Sequence, residues 1–382
     1  MSISVEKVPF NRPSMSSDEL LHIEQSIASR ELSGGGYFTR LAQSLLKKEL
    51  GGNCEVLLTT SCTHALEVAA ILLNLQPGDE VIVPAFTFPS TALAFVMHGA
   101  NVIFADCRPD TLNLDESLLE NLITPNTRAI VPVHYAGISC DMDKIMDLAN
   151  SYDLIVIEDN AHGLFGKYKN KSLGTIGHLA TQSFHETKNI TCGEGGALII
   201  NEKKFYERAE IILEKGTNRK RFFRGQVDKY SWVDKGSSYI LADLLASMLC
   251  AQLKRAKKIQ NSREKAWNLY YEKLEYWASN NNVKLPFVPD EAYQPFHMFY
   301  LLVPDVEIRD SLLNEWNSKG VNAVFHYLPL NRSEMGRKFS TNSNSCSVAE
   351  DISNRIIRLP FYTDISLAEQ EKVVSVVLES KW

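Results

Sequence analysis

Short apolar runs recur between residues 81 and 200, with stretches of helical spacing between them, and that alternation leaves few folds open. The runs are Val81-Ile82-Val83, Val102-Ile103-Phe104-Ala105, Ala129-Ile130-Val131-Pro132-Val133, Leu154-Ile155-Val156-Ile157 and Ala197-Leu198-Ile199-Ile200. Each is continuously apolar, as a strand covered on both faces requires. With helical stretches such as 141–152 between them, the expected fold is α/β: a mainly parallel central sheet with helices on both faces. Functional residues in such a sheet collect at the carboxyl ends of the strands. From 251 to 278, Leu253, Ile259, Trp267, Tyr270 and Leu274 recur at helical spacing, which predicts one long connecting helix. Residues 1–250 then form a large domain with an N-terminal arm, and residues 251–382 the connecting helix and a small α+β domain. A chain of 382 residues is long enough for both, since single cores stop growing at about 250–300 residues.

Composition narrows the function classes. Apolar residues make up 45% and charged residues 23% of the chain, an ordinary globular balance. A formal net charge of −6 gives nucleic acid no general reason to bind, and an anionic small molecule would need a local basic pocket. Lys254, Arg255, Lys257 and Lys258 read as a solvated helix face. Residues 1–20 lack the apolar stretch of a secretory signal. No run approaches the ~18 apolar residues of a membrane span, so no membrane partner is expected. The seven cysteines are scattered without a C-x-x-C pair; free thiols in a reducing compartment, and hence a cytoplasmic location, are expected. The polar run 340–345 is predicted as a surface loop.

Four segments carry chemistry, and their joint order says more than any one alone. Thr59-Thr60-Ser61-Cys62-Thr63-His64 precedes an amphipathic stretch; hydroxyls and free N–H groups at a helix start can hold a phosphate, or simply cap the helix. Phe88, in Pro84-Ala85-Phe86-Thr87-Phe88-Pro89, follows a predicted strand and can stack on a planar ring or fill a core. Asp159, in Glu158-Asp159-Asn160-Ala161-His162, sits at the ligand edge of another strand, although two adjacent acids also suit a metal or a loop start. Lys188 lies in Ser183-Phe184-His185-Glu186-Thr187-Lys188-Asn189, a loop that re-enters a strand at Gly196. Gly193-Glu194-Gly195 lacks a third glycine and opens a strand, so it is no dinucleotide fingerprint, and no phosphate loop occurs. Pyridoxal phosphate chemistry needs an amine that forms a Schiff base with the aldehyde and an acid that keeps the pyridine nitrogen protonated. Lys188 can be the amine and Asp159 the acid.

The series SCTHALEVA, PAFTFPSTA, VPVHYAG, EDNAH and SFHETKNITCGEGGAL resembles the DegT/StrS family of sugar aminotransferases, which have the pyridoxal phosphate fold type I architecture and act on nucleotide-linked keto sugars. The likeness runs along nearly the whole chain. PFNRP, LQPGDEVIVPAFTF, RPDTLNLDE, the 214–239 segment and VFHYLPL are similar to members that aminate carbon 4 of dTDP-4-oxo-6-deoxy-D-glucose. The resemblance implies that Lys188 carries the pyridoxal 5'-phosphate and that Asp159 pairs with its pyridine nitrogen, these two being catalytic. It places His162 by the ring hydroxyl, Phe88 on the ring face, and Ser183, Thr63 and His64 on the phosphate. It also implies a homodimer with shared active sites. Many members send an asparagine across the subunit boundary to the phosphate, where this chain offers Ser238. Leu330-Asn331-Arg332 stands where a histidine is frequent, which leaves the C-terminal contribution to the sugar site open.

The implied reaction is amino transfer from L-glutamate to carbon 4 of the nucleotide sugar, for surface polysaccharide biosynthesis. The product is dTDP-4-amino-4,6-dideoxy-D-galactose, with the equatorial gluco epimer as the alternative. Lys215, Arg219, Lys220, Arg221 and Arg224 are candidates to meet the diphosphate. No metal is called for. A non-catalytic nucleotide-sugar-binding protein is a rival of another class; a dehydratase of the same fold would replace Lys188 by histidine, and a nicotinamide-dependent reductase would need the missing glycines.

Overall fold

The computed structural model describes residues 7–341 and 345–382; residues 1–6 of the expected N-terminal arm and 342–344 of the expected surface loop lie outside the described residues. The strands are β1 (Glu55–Thr59), β2 (Glu80–Pro84), β3 (Asn101–Ala105), β4 (Thr127–Ile130), β5 (Ile155–Asp159), β6 (Lys167–Tyr168), β7 (Lys171–Ser172), β8 (Leu179–Ser183), β9 (Gly196–Ile200), β10 (Ala292–Tyr293), β11 (Tyr300–Leu302) and β12 (Ile356–Arg358). The α-helices up to residue 280 are α1 (Ser17–Ser29), α2 (Tyr37–Glu49), α3 (Cys62–Leu72), α4 (Ser90–Val96), α5 (Met142–Ser151), α6 (Tyr206–Leu213), α7 (Arg219–Phe223), α8 (Asp243–Lys254) and α9 (Ala256–Asn280).

Seven strands form the central sheet in the order β1-β9-β8-β5-β4-β2-β3. β3, β2, β4, β5 and β8 are mutually parallel, so the mainly parallel sheet expected from the apolar runs is present. β9 alone is reversed, pairing antiparallel with β8 and β1. Its reversal follows from its connection: the loop holding Lys188 joins Ser183 to Gly196, which face each other in register, and a short return without a crossover helix permits only antiparallel pairing. Alternate residues of one strand feed cores on opposite faces. Val81 and Val83 pack with Leu66 and Ala69 of α3, whereas Ile82 packs with Met142 and Ile145 of α5. A further core is built from α9 (Trp267, Tyr270, Leu274), the strand residues Leu301 and Ile357, and Val8 near the N-terminus.

The predicted helix 251–278 is two helices. α8 ends at Lys254 and α9 begins at Ala256, with Arg255 between them at φ −95° and ψ 2°. Neither glycine nor proline marks the break. Packing makes it: Leu249, Cys250 and Leu253 of α8 join the core under α2, while α9 faces the further core. β1 and β8 also escaped the sequence reading, because β8 reads Leu-Ala-Thr-Gln-Ser and carries its polar side chains fully covered. All seven cysteines are unpaired, and among the described residues no helix is long and apolar enough to cross a membrane.

Adjacent acids at the end of β5 point to opposite faces of the sheet, as period-two geometry demands. Glu158, with no exposed surface, accepts hydrogen bonds from the backbone N–H groups of Gly174 (2.8 Å), Ile176 (2.8 Å) and Gly177 (2.7 Å) and from His134 Nε2 (2.9 Å). His134 Nδ1 accepts the Cys140 N–H, which fixes the proton on Nε2. Burial pushes the Glu158 carboxyl up, yet the His134 ring and the Gly177 and Gly174 N–H groups together hold it below the ordinary value. Glu158 is therefore a structural staple. Glu158→Gln is expected to cost about 3 kcal/mol of stability, the scale of breaking a buried charged network, measured as the loss in denaturant unfolding at neutral pH. An unchanged unfolding midpoint would contradict this reading.

Candidate active site

A cavity of about 570 Å³ opens at the carboxyl edge of the sheet. β1 leads into Ser61, Cys62 and Thr63 at the start of α3; β2 leads into Thr87, Phe88, Ser90 and Thr91; β5 ends in Asp159 and β8 in Ser183. Lys188 enters from the β8–β9 loop. The opposite wall comes from the C-terminal part of the chain, with His297, His326, Tyr327 and Arg358, and from Phe10 near the N-terminus.

Asp159 is 5% exposed. Its Oδ2 accepts the Thr91 hydroxyl at 2.8 Å and its Oδ1 the Ala161 N–H at 3.2 Å. Burial nonetheless pushes the carboxyl above its ordinary value, so a cationic N–H donor opposite it would be strongly favoured. Burial also pushes the Lys188 amine down to about 8. Among the described residues that amine has no hydrogen-bond or ion-pair partner.

His162 stacks on His297 with ring centroids 4.4 Å apart. Its Nε2 meets the Tyr327 hydroxyl at 3.3 Å, and its buried Nδ1 has no partner. Burial, with Lys188 and Arg358 nearby, holds His162 well below the ordinary imidazole value, so the ring is neutral. Phe86 is buried against Tyr135 and Tyr327, whereas Phe88 is 57% exposed and lines the cavity. Of the two aromatics after β2, Phe88 is the one free to cover a ligand.

The start of α3 brings hydroxyls to the cavity. Ser61 caps the helix by accepting the His64 N–H at 3.1 Å, and the Thr63 hydroxyl meets that of Ser90 at 2.7 Å. The helix start lies directly on the first residue of β9. A Cβ at Gly196 would come within 2.4 Å of the Cys62 backbone nitrogen, so the last glycine of the Lys188 loop is what lets helix and strand meet.

Lys188, Asp159, His162, Phe88, Ser183 and Thr63 thus share one cavity. His64 does not join them: its ring bonds the Thr60 hydroxyl and packs edge-on against Tyr239, centroids 5.1 Å apart. Ser238 lies outside the cavity too, exposed and paired with Glu214 in an isolated bridge. The basic cluster is likewise elsewhere, with Lys220 and Arg224 paired to Glu210 and Arg221 to Glu207. Asn331 and Arg332 bond Glu350; the C-terminal wall is instead made by His326 and Tyr327, stacked at 3.6 Å, and by Arg358. None of these wall residues was read from the sequence. Their only local signals are a His-Tyr pair inside VFHYLPL and an arginine closing the run Ile356-Ile357.

A family model described as the DegT/DnrJ/EryC1/StrS aminotransferase family matches residues 13–378. The chain belongs to that family. The DegT/StrS-type enzyme is similar to the uncharacterized protein MJ1066 of Methanocaldococcus jannaschii, 31% identical over 376 residues covering 97% of this chain and 96% of that one. It is also similar to the spore coat polysaccharide biosynthesis protein SpsC of Bacillus subtilis, 29% identical over 381 residues with coverage of 97% and 96%. In fold it matches Helicobacter pylori PseC, an aminotransferase involved in the biosynthesis of pseudoaminic acid, with a TM-score of 0.89 at 24% identity over 98% of each chain. It is a sugar aminotransferase of fold type I that depends on pyridoxal phosphate. The cavity fits that cofactor: a free buried amine, a buried acid short of a cationic partner, an unpartnered imidazole nitrogen and helix-start hydroxyls converge there.

Proposed function

We propose that this DegT/StrS-type enzyme transfers the amino group of L-glutamate to carbon 4 of dTDP-4-oxo-6-deoxy-D-glucose, giving dTDP-4-amino-4,6-dideoxy-D-galactose for surface polysaccharide biosynthesis. The observation that carries the reading is the convergence of the Lys188 amine and the Asp159 carboxylate on one cavity at the carboxyl edge of the sheet. Pyridoxal phosphate, when bound, supplies the aldehyde that takes up an amine and the ring that holds an electron pair. Lys188 would hold that aldehyde and, as a neutral amine, would move the proton at the reacting carbon. Asp159 keeps the pyridine nitrogen cationic, and His162 offers its unpartnered Nδ1 to the ring hydroxyl. Ser183, Thr63 and the first N–H groups of α3 take the phosphate, while Phe88 covers the ring.

Arg358 takes a carboxylate of the glutamate donor. Its buried Nε has no partner, and burial with no acid beside it pulls its pKa down, so an incoming carboxylate relieves an uncompensated charge. The segment 214–239 supports a homodimer. It carries Ser238 and the basic cluster, none of which lines the cavity of its own chain, and such a segment suits the phosphate and nucleotide-sugar sites of a neighbouring copy. The role of SpsC in spore coat polysaccharide biosynthesis agrees with the proposed pathway.

The test is incubation of the purified protein with pyridoxal phosphate, L-glutamate and dTDP-4-oxo-6-deoxy-D-glucose, with the product solved by NMR. Which epimer forms would depend on how the sugar is turned relative to the Lys188 amine. A small coupling between the protons on carbons 3 and 4 is expected for the axial amine; a large one would assign the gluco epimer, and no aminated sugar would refute this nucleotide sugar as the substrate.

A further inference from the structure

We infer that Phe10, on an N-terminal strap formed by residues 8–12, is a positioning residue for Arg358 and thereby sets the affinity for the amino donor's carboxylate. The inference rests on the reading of Arg358 as the donor's anchor.

The strap is tied to the C-terminal part of the chain at each step. Val8, with no exposed surface, donates its N–H to the Gly320 carbonyl at 2.8 Å and accepts from the Asn322 N–H at 3.1 Å. The Phe10 carbonyl accepts the Phe361 N–H at 3.2 Å. Arg12 pairs with Glu369 at 3.0 Å and lies over the Tyr362 ring at 4.7 Å. These anchors are backbone atoms or neighbouring side chains, so the Phe10 ring is left free to face the cavity, which it lines. There the Arg358 guanidinium carbon sits 4.7 Å from its centroid.

Arg358 is held from the other side by its backbone, paired with Tyr300 and bonded both ways to Val324 at 2.7 Å and 3.1 Å. Only the side chain can adjust, and among the described residues no carboxylate holds it. Stacking on an aromatic face fixes the plane of a guanidinium while using none of its N–H groups. Its edge stays available for the two parallel hydrogen bonds that a carboxylate accepts. Without the ring, the side chain would have to be ordered by the ligand itself, which weakens binding.

The test is calorimetric titration of the holoenzyme with glutarate, a dicarboxylate that cannot transfer an amine. Phe10→Leu is expected to weaken glutarate about tenfold, the scale of one desolvated cation–π contact, and to raise KM for L-glutamate in proportion while leaving the visible cofactor band in place. Phe10→Tyr, which keeps the ring face, should bind as the parent does. Arg358→Lys should lose glutarate binding. Retained binding in Arg358→Lys would overturn the anchor itself. Loss in Arg358→Lys with parental affinity in Phe10→Leu would overturn the role of Phe10 and leave the anchor standing. A melting temperature measured on each protein separates this from unfolding, and weak binding in Phe10→Tyr as well would also count against the stacking argument.

Discussion

Lys188→Ala is expected to lower kcat by at least about 10⁴-fold, because one side chain holds the cofactor's aldehyde and also moves the proton, and a positioned acid–base group alone contributes roughly 10²–10⁴-fold. Burial makes Lys188 competent for both tasks by pushing its amine down to about 8 from an ordinary 10.5. At pH 7 roughly one amine in ten is then neutral, against roughly one in three thousand for an unperturbed lysine. The sign is testable without turnover. Capture of pyridoxal phosphate by the apoprotein should accelerate as pH rises through about 8, since the neutral form is the nucleophile. A midpoint near that of free lysine would refute the desolvation argument. The alanine variant should also lose the visible absorbance of the covalently held cofactor, and retention of a borohydride-sensitive band would mean that another lysine carries it.

The sheet was legible because its parallel strands are covered on both faces and so read as unbroken apolar runs, as Val81-Ile82-Val83 and Leu154 to Ile157 do. Asp159 was legible for a related reason, since it closes the apolar run Leu154 to Ile157 and a strand end places a residue at a known edge, whereas Ser183 and Lys188 were legible from the motif they share. β8 was missed because Thr181 and Gln182 are buried polar residues, Gln182 satisfied by Asn160, and an apolar pattern cannot reveal a polar core partner. The break at Arg255 was missed because tertiary packing, with no helix breaker, creates it. His297, His326, Tyr327, Arg358 and Phe10 reach the cavity from segments far apart in the chain. Nothing in their local spacing predicts that convergence. His64 stands beside Thr63 in the motif, but a helix turns consecutive side chains to different directions, which sends its ring to Thr60 and Tyr239.

Asp159→Asn is the second large effect expected, and it separates function from stability. The carboxylate is buried and its pKa is raised by that burial, so the folded apoprotein bears the cost of a charge that only a cationic ring nitrogen would offset. An amide of the same shape removes the charge and can still accept the Ala161 N–H now bonded to Oδ1. The apoprotein variant should therefore melt at the parental temperature or above it. Its kcat should fall by about 10²–10³-fold, the range seen when a preorganised electrostatic partner is lost from an active site, because an amide dipole cannot hold the pyridine nitrogen protonated. Near-parental kcat would remove Asp159 from the mechanism, and a lowered melting temperature would make it a structural acid like its neighbour. Glu158→Gln should behave in the reverse manner, losing stability because the carboxylate it replaces accepts hydrogen bonds from three backbone N–H groups and His134. Two adjacent acids, turned to opposite faces of one strand, are thus expected to give opposite signatures in the same pair of measurements.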